Sequence, residues 1–180
     1  MVDLFRLVGG HASGIVLRFF LSHPSKKIYA EKLLDELKLS KKSLLGSLTA
    51  LEEGTLIESE LQGRTKLYFL NRNNITVKYL KIILTVSELA PKLKSLKGKA
   101  DVYLYGSAAR GEDSESSDLD ILVVTKESRS EVMKMLSELP KEKMNVVVMT
   151  QLGYAELSRN DKAFYERIEK DKIKLTQCGR

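Results

Sequence analysis

The chain has 180 residues, 43% hydrophobic and 30% charged with three prolines, a balance that excludes a disordered or low-complexity chain and suits one large or two small folded domains. Its net charge of +6 is uneven: residues 1–74 hold 11 Lys/Arg against 8 Asp/Glu, residues 75–97 hold 5 against 1, and residues 98–180 hold 14 against 15. A polyanion partner therefore belongs to the first half, and the single cysteine, Cys178, leaves no intramolecular disulfide or cysteine metal cluster and fits a reducing cytoplasm.

The apolar run Ile15 to Leu21 is broken by Arg18 and is too short to cross a bilayer, so neither export nor a membrane span is expected. Residues 13–22 read as a first helix ending before Pro24. Ala30, Leu33, Leu34 and Leu37 repeat at the spacing of an amphipathic second helix. Ser40 is placed to N-cap a third, in which Leu44, Leu48 and Leu51, flanked by Leu45, form the buried stripe until Gly54 ends it. The opposite face carries Lys42, Ser43, Gly46, Thr49 and Ala50.

Leu56 to Glu60 and Lys66 to Leu70 then read as strands around the loop Gln62-Gly63-Arg64. Three helices and then a β-hairpin is the order of a winged helix. The run "SKKSLLGSLTALEEGTLIESELQGRTKLYFLN" over residues 40–71 resembles the recognition helix and wing of ArsR-like winged helix-turn-helix regulators. This resemblance implies binding to double-stranded DNA, with Lys41, Lys42 and Arg64 on phosphates and Ser43, Gly46 and Thr49 facing the major groove.

Tyr79, Ile82, Val86, Leu89, Leu93 and Leu96 are spaced 3, 4, 3, 4, 3, a heptad seam on a connecting helix over residues 75–97 that Pro91 should kink. Two readings stay open for it: a helix packed on its own chain, or the pairing helix of a homodimer.

From Asp101 the pattern changes. Val102 to Tyr105, Asp120 to Thr125 and Met144 to Thr150 read as core strands, with helices near Glu131 to Leu139, Leu152 to Ser158 and Ala163 to Lys170. On the last of these Phe164, Tyr165 and Ile168 form a core face. The expected organisation is thus α+β: a winged helix over 1–74, the connecting helix, and a small α/β domain over 98–180.

The first of those strands runs into Gly106-Ser107-Ala108-Ala109-Arg110-Gly111, then an acidic, serine-rich loop, then Ser117-Asp118-Leu119-Asp120 and the apolar strand. Gly106 allows a sharp turn after a strand, and a helix starting near Ser107 would aim its amides at a phosphate. Asp118 and Asp120, two apart on a strand, project from one face and can converge on a hard cation with oxygen ligands, of which Mg2+ is the natural choice. Glu112, Asp113 and Glu115 read as solvated loop acids, and the offsets exclude an EF-hand. His11 and His23 lack a paired ligand at metal spacing and read as ordinary polar residues.

Ten residues separate Ser107 from Asp118, so the region has the GS-x10-D-x-D pattern and resembles the DNA polymerase β-like nucleotidyltransferases. Within that superfamily "YLYGSAARGE" and "SDLDILVV" look most like the minimal nucleotidyltransferase branch. The resemblance implies a catalytic set of Asp118, Asp120 and Ser107 and a nucleotide cradle of Gly106, Ser107, Arg110 and Gly111. It also implies Mg2+ on Asp118 and Asp120, a nucleoside triphosphate as substrate or ligand, and a HEPN-type toxin protein as the partner of an antitoxin. Members of the superfamily supply a third carboxylate from a later strand, and the matching position here is Asn145, whose amide cannot act as a base. Two functions stay open together: transfer of a nucleotidyl group, most simply AMP from ATP, to a protein or small-molecule hydroxyl, or a transcriptional regulator that senses nucleotide without turnover.

Overall fold

The structure, a computed structural model, describes residues 11–139 and 143–176; Cys178 lies outside them, as does the His11 side chain. The chain divides into two compact units, Met1–Lys81 and Ile82–Arg180. Among the described residues no helix is long and apolar enough to cross a membrane.

The first unit contains α1 (His11–Ser22), β1 (Ile28–Tyr29), α2 (Ala30–Leu37), α3 (Lys41–Glu53), β2 (Ile57–Gln62), β3 (Thr65–Leu70) and the start of α4 (Ile75–Leu89). Ser40 caps α3, its side chain accepting from the Ser43 amide, and Gly54 closes the helix onto the Ala50 carbonyl. Leu44, Leu48 and Leu51 are buried as the leucine spacing requires, but Leu45 is exposed and Ser47 is buried in its place. Ser47 tolerates that position because its hydroxyl donates to the Ser43 carbonyl at 2.8 Å and accepts from Ser13 at 3.2 Å. The hairpin loop is shorter than the sequence suggests: Gln62 pairs with Thr65, leaving Gly63 and Arg64, with Gly63 at φ +66° in the first central position, where a two-residue turn favours glycine. The two-residue strand β1, absent from the hydrophobic pattern, adds to β3 and gives the sheet order β1-β3-β2. Glu52 ties α3 to the hairpin, accepting from Ser59 at 2.5 Å and pairing with Lys66 at 3.1 Å. Those two partners, the Ser59 hydroxyl foremost, hold its carboxyl below the ordinary range.

The segment expected as one connecting helix is two. α4 stops at Leu89, and Pro91 opens a 3₁₀ segment, Ala90–Leu96, because proline cannot donate to the preceding α-helical turn. Leu89, Leu93 and Leu96 are core residues of the second unit. Half of the six heptad positions are thus buried in their own fold, which favours the reading of a segment packed on its own chain for that half. Tyr79 is exposed.

The second unit continues through β4 (Ala100–Tyr105), a 3₁₀ turn (Ala108–Arg110), β5 (Leu119–Thr125), α5 (Arg129–Met135), β6 (Met144–Met149), α6 (Gln151–Asn160), α7 (Lys162–Glu169) and β7 (Ile173–Thr176). The sheet order is β6-β5-β4-β7, with β5 and β6 parallel and the other pairs antiparallel. The parallel pair needs a crossover, which α5 supplies; α5 opens with a capping box between Ser128 and Glu131. Strand β7 is absent from the expected elements. It is short, its pairing with β4 is interrupted by a bulge, and its Ile-Lys-Leu-Thr comes directly after the charged end of α7.

Strand alternation sorts the core into two faces. Val102, Leu104, Ile121, Val123 and Val146 pack with the 3₁₀ segment and α5. Tyr103, Tyr105, Leu122, Val124, Val147 and Met149 pack against Leu157 of α6 and Phe164, Tyr165 and Ile168 of α7. Asp120 and Asn145 fall, by the same alternation, on the α6–α7 face.

Candidate active site

The end of β4 and the start of β5 build the site together. Tyr105 is the register partner of Asp120, so the next residue, Gly106, turns directly beside the aspartate. Gly106 has φ +76°, and a Cβ there would fall 2.3 Å from Asp120 Oδ2. Two independent constraints therefore demand glycine: a left-handed backbone and the close seating of a carboxylate on its Cα. The glycine-serine turn and Asp120 of β5 thus form one constellation.

The segment after Gly106 differs from the expectation. Instead of a helix there is a single 3₁₀ turn, Ala108–Arg110, closed by Gly111 at φ +65°. Three residues carry little macrodipole, so a phosphate at this turn would be met by local hydrogen-bond donors. Ser107 makes no capping hydrogen bond with its side chain, which leaves its hydroxyl for such a role. Its carbonyl accepts from the Arg110 and Glu112 amides at 3.1 and 2.9 Å, so the loop is folded back on the turn.

Asp118 is exposed and lies one residue before β5, not within it. Asp120 is within it, its side chain 19% exposed. Asn145 of β6 is the parallel register partner of Asp120 and donates from Nδ2 to Asp120 Oδ1 at 2.9 Å. A third carboxylate at that position would have stood against Asp120; an amide binds it instead. Among the described residues no three His, Cys, Asp or Glu side chains are grouped to hold a metal ion. The donor chemistry of Asp118 and Asp120, two carboxylates two residues apart, is of the kind that a hard cation such as Mg2+ takes, since that ion needs few protein carboxylates.

Three side chains in the site carry no signal in the sequence pattern. Arg167 of α7 places Nη2 3.5 Å from Asp120 Oδ1. Its guanidinium lies over the rings of Tyr105 and Phe164, at 5.5 and 5.9 Å from their centroids, an aromatic shelf that steadies the cation while leaving it half exposed. Asp171, just beyond α7, accepts from the Gly106 amide at 3.3 Å and forms an ion pair with Arg110. Tyr105 is fully buried, and its hydroxyl has no hydrogen-bond partner among the described residues. Burial first, then the charge of Asp120, pushes its phenol above the ordinary range, with Arg167 opposing.

Arg110 is held by Glu112 at 2.8 Å as well as by Asp171, and these partners, Glu112 foremost, raise its already high pKa. In this arrangement it braces the turn against the segment after α7. His23 rests on Phe19, its Nδ1 2.9 Å from the Phe19 carbonyl.

The residues expected to meet DNA share the outer surface of the first unit. Lys41, Lys42, Ser43, Gly46 and Thr49 are all exposed on α3, and Arg64 is exposed at the hairpin tip. A Cβ at Gly46 would meet nothing within 4 Å. Ser43 is partly committed, since Ser40 Oγ lies 2.9 Å from its hydroxyl.

A family model described as "Nucleotidyltransferase domain" matches residues 86–176, just over half of the chain. A crystal structure of a candidate nucleotidyltransferase from Sulfolobus solfataricus shares 23% identity over 56% of this chain and 83% of that one, with a TM-score of 0.34. No curated protein matches significantly.

Proposed function

The chain belongs to the nucleotidyltransferase domain family, and on that premise we propose that the turn at Gly106 and the carboxylates at Asp118 and Asp120 bind a nucleoside triphosphate with Mg2+ and transfer its nucleotidyl group, most simply AMP from ATP, to a hydroxyl on a protein or small molecule. The observation that carries this is the seating of Asp120 on Gly106, which brings the phosphate-binding turn and the cation-binding carboxylate into one site.

Ser107 and the amides of the turn bind the β- and γ-phosphates and so orient the α-phosphorus. Asp118 and Asp120 would hold the ion. An ion of the Mg2+ kind held there would supply positive charge to the phosphate oxygens. In the transfer the acceptor oxygen forms a bond to the α-phosphorus as the bond to the bridging oxygen of pyrophosphate breaks. The acceptor's proton leaves to water or to a substrate oxygen, because Asn145 cannot take it. Incubation with α-labelled ATP, GTP, CTP and UTP and Mg2+ in host extract, with and without the added chain, tests the reading: a labelled macromolecule or small molecule that appears only with the chain supports it, and the absence of any such product with all four nucleotides refutes transfer.

Asn145 favours a second reading. A site in which an amide stands where the third carboxylate of the family is expected suits nucleotide binding better than turnover, and the first unit then supplies an output. In this reading the first unit is a winged helix, and the chain binds double-stranded DNA through Lys41, Lys42 and Arg64 on phosphates and the exposed face of α3 in the major groove. Transfer and DNA binding are compatible in one chain. A HEPN-type toxin as acceptor, and a homodimer on DNA, extend the proposal; co-purification with a neighbouring gene product and light scattering test each.

A further inference from the structure

From the surroundings of Asp120 we infer that this site takes one divalent ion with its nucleotide, and that Arg167 supplies the second positive charge from the protein. The inference rests on the nucleotide-site reading above.

The oxygens of Asp120 are already allotted. Oδ1 lies 2.9 Å from the Asn145 amide nitrogen and 3.5 Å from Arg167 Nη2, so two donors converge on it. Oδ2 is the oxygen seated over Gly106, and it is the one left to share an ion with Asp118. A pair of ions needs bridging carboxylate oxygens and enough negative charge to hold both. Asp171 is already engaged by the Gly106 amide and Arg110, which leaves two carboxylates, Asp118 and Asp120, for an ion; the adjacent position is a neutral amide, and a guanidinium stands beside Asp120. A second divalent ion would have to displace the Arg167 contact or bind against its charge.

Arg167 is also built to be more than a passive counter-ion. Its guanidinium carbon lies 5.5 and 5.9 Å from the ring centroids of Tyr105 and Phe164, a cation–π position that holds the charge beside Asp120, and its side chain is 54% exposed, so a ligand in the site can reach it. A planar fork of fixed donors beside a phosphate-binding turn is suited to bind a phosphate group bidentately. A lysine would give the charge without the fork.

The test counts ions. Mn2+ bound per chain is measured by electron paramagnetic resonance with a saturating ATP, GTP, CTP or UTP analogue whose α–β bridge cannot be cleaved. The expected result is one ion per chain for the wild type. Arg167→Gln should weaken analogue binding about tenfold or more, Arg167→Lys should restore part of it, and neither should change the ion count. Asn145→Asp combined with Arg167→Gln restores a third carboxylate and removes the internal cation, and should raise the count to two. Two ions on the wild type, or unaltered analogue affinity in Arg167→Gln, would overturn the inference. Failure of the underlying reading looks different: Asp118→Ala would then leave analogue and Mn2+ binding unchanged, or no analogue would bind at all.

Discussion

Gly106→Ala separates two costs that usually come together. An alanine held at φ +76° costs about 1–2 kcal/mol in the left-handed region. Its Cβ would also stand 2.3 Å from Asp120 Oδ2, so the carboxylate must move and forfeit the Asn145 hydrogen bond, a charge-assisted contact worth about 1.5–3 kcal/mol. Gly98 is the internal control: it lies in the same unit at φ +81°, and a Cβ there meets nothing within 4 Å. Gly98→Ala should therefore cost only the backbone part. The difference between the two variants, about 2 kcal/mol, corresponds to a ~30-fold larger opening equilibrium. Hydrogen exchange on the intact chain reads this locally at β4 and β5, beside analogue binding, which Gly106→Ala should abolish and Gly98→Ala should spare. Equal protection in the two variants would refute the claim that Asp120 is seated on Gly106.

Lys41→Ala/Lys42→Ala should weaken duplex DNA binding and lower the slope of log affinity against log salt by about 2, since each phosphate contact releases close to one counterion; an unchanged slope removes α3 from the interface. Asn145→Asp alone should raise any transferase rate by roughly 100-fold through a restored base, and equal single-turnover rates in wild type and variant would show that the substrate provides its own. Tyr105→Phe deletes a buried hydroxyl that has no partner among the described residues, so thermal denaturation should find it neutral or mildly stabilising; a loss above about 1 kcal/mol would reveal a bond the hydroxyl makes. Because Glu52 has its pKa lowered in the fold, its contribution is complete above the unfolded carboxylate pKa of about 4.3 and is lost as pH falls through the lower folded value. Glu52→Gln should flatten the acid side of the hairpin's exchange protection, and an unchanged profile would mean that Ser59 and Lys66 do not hold it in solution.

Much of the fold is legible in the sequence because local patterns set it. The cap at Ser40, the stop at Gly54 and the leucines of α3 are decided within one or two helical turns, and the strands β4, β5 and β6 stand out as short apolar runs. The features that escape are those decided by tertiary contacts. The Tyr79-to-Leu96 spacing is a sound heptad, yet periodicity cannot tell which partner a helix face will meet, and the second unit's own sheet claims Leu89, Leu93 and Leu96. β1 and β7 are two and four residues long and exist because β3 and β4 offer edges to pair with.

The site divides along the same line. Gly106, Ser107, Asp118 and Asp120 sit within fifteen residues, so the chemistry of a turn and a strand is readable from spacing. Asn145 can be found because parallel pairing sets it beside Asp120. Arg167 and Asp171 arrive from 47 and 65 residues away, on a helix and a turn whose sequence advertises only the core face of Phe164, Tyr165 and Ile168. No spacing rule links an arginine three residues past a core phenylalanine to a distant aspartate; the α7 packing does. Yet these silent residues set the charge of the site. The motif alone describes two bare carboxylates inviting metal, whereas the folded chain presents Asp120 already engaged by an amide and a guanidinium, with the turn braced by Asp171 and Arg110. The charge that α7 brings to Asp120 and the amide that β6 sets against it are therefore what the ion-counting and rate experiments read, and neither can be inferred from the spacing of the glycine turn and the aspartates.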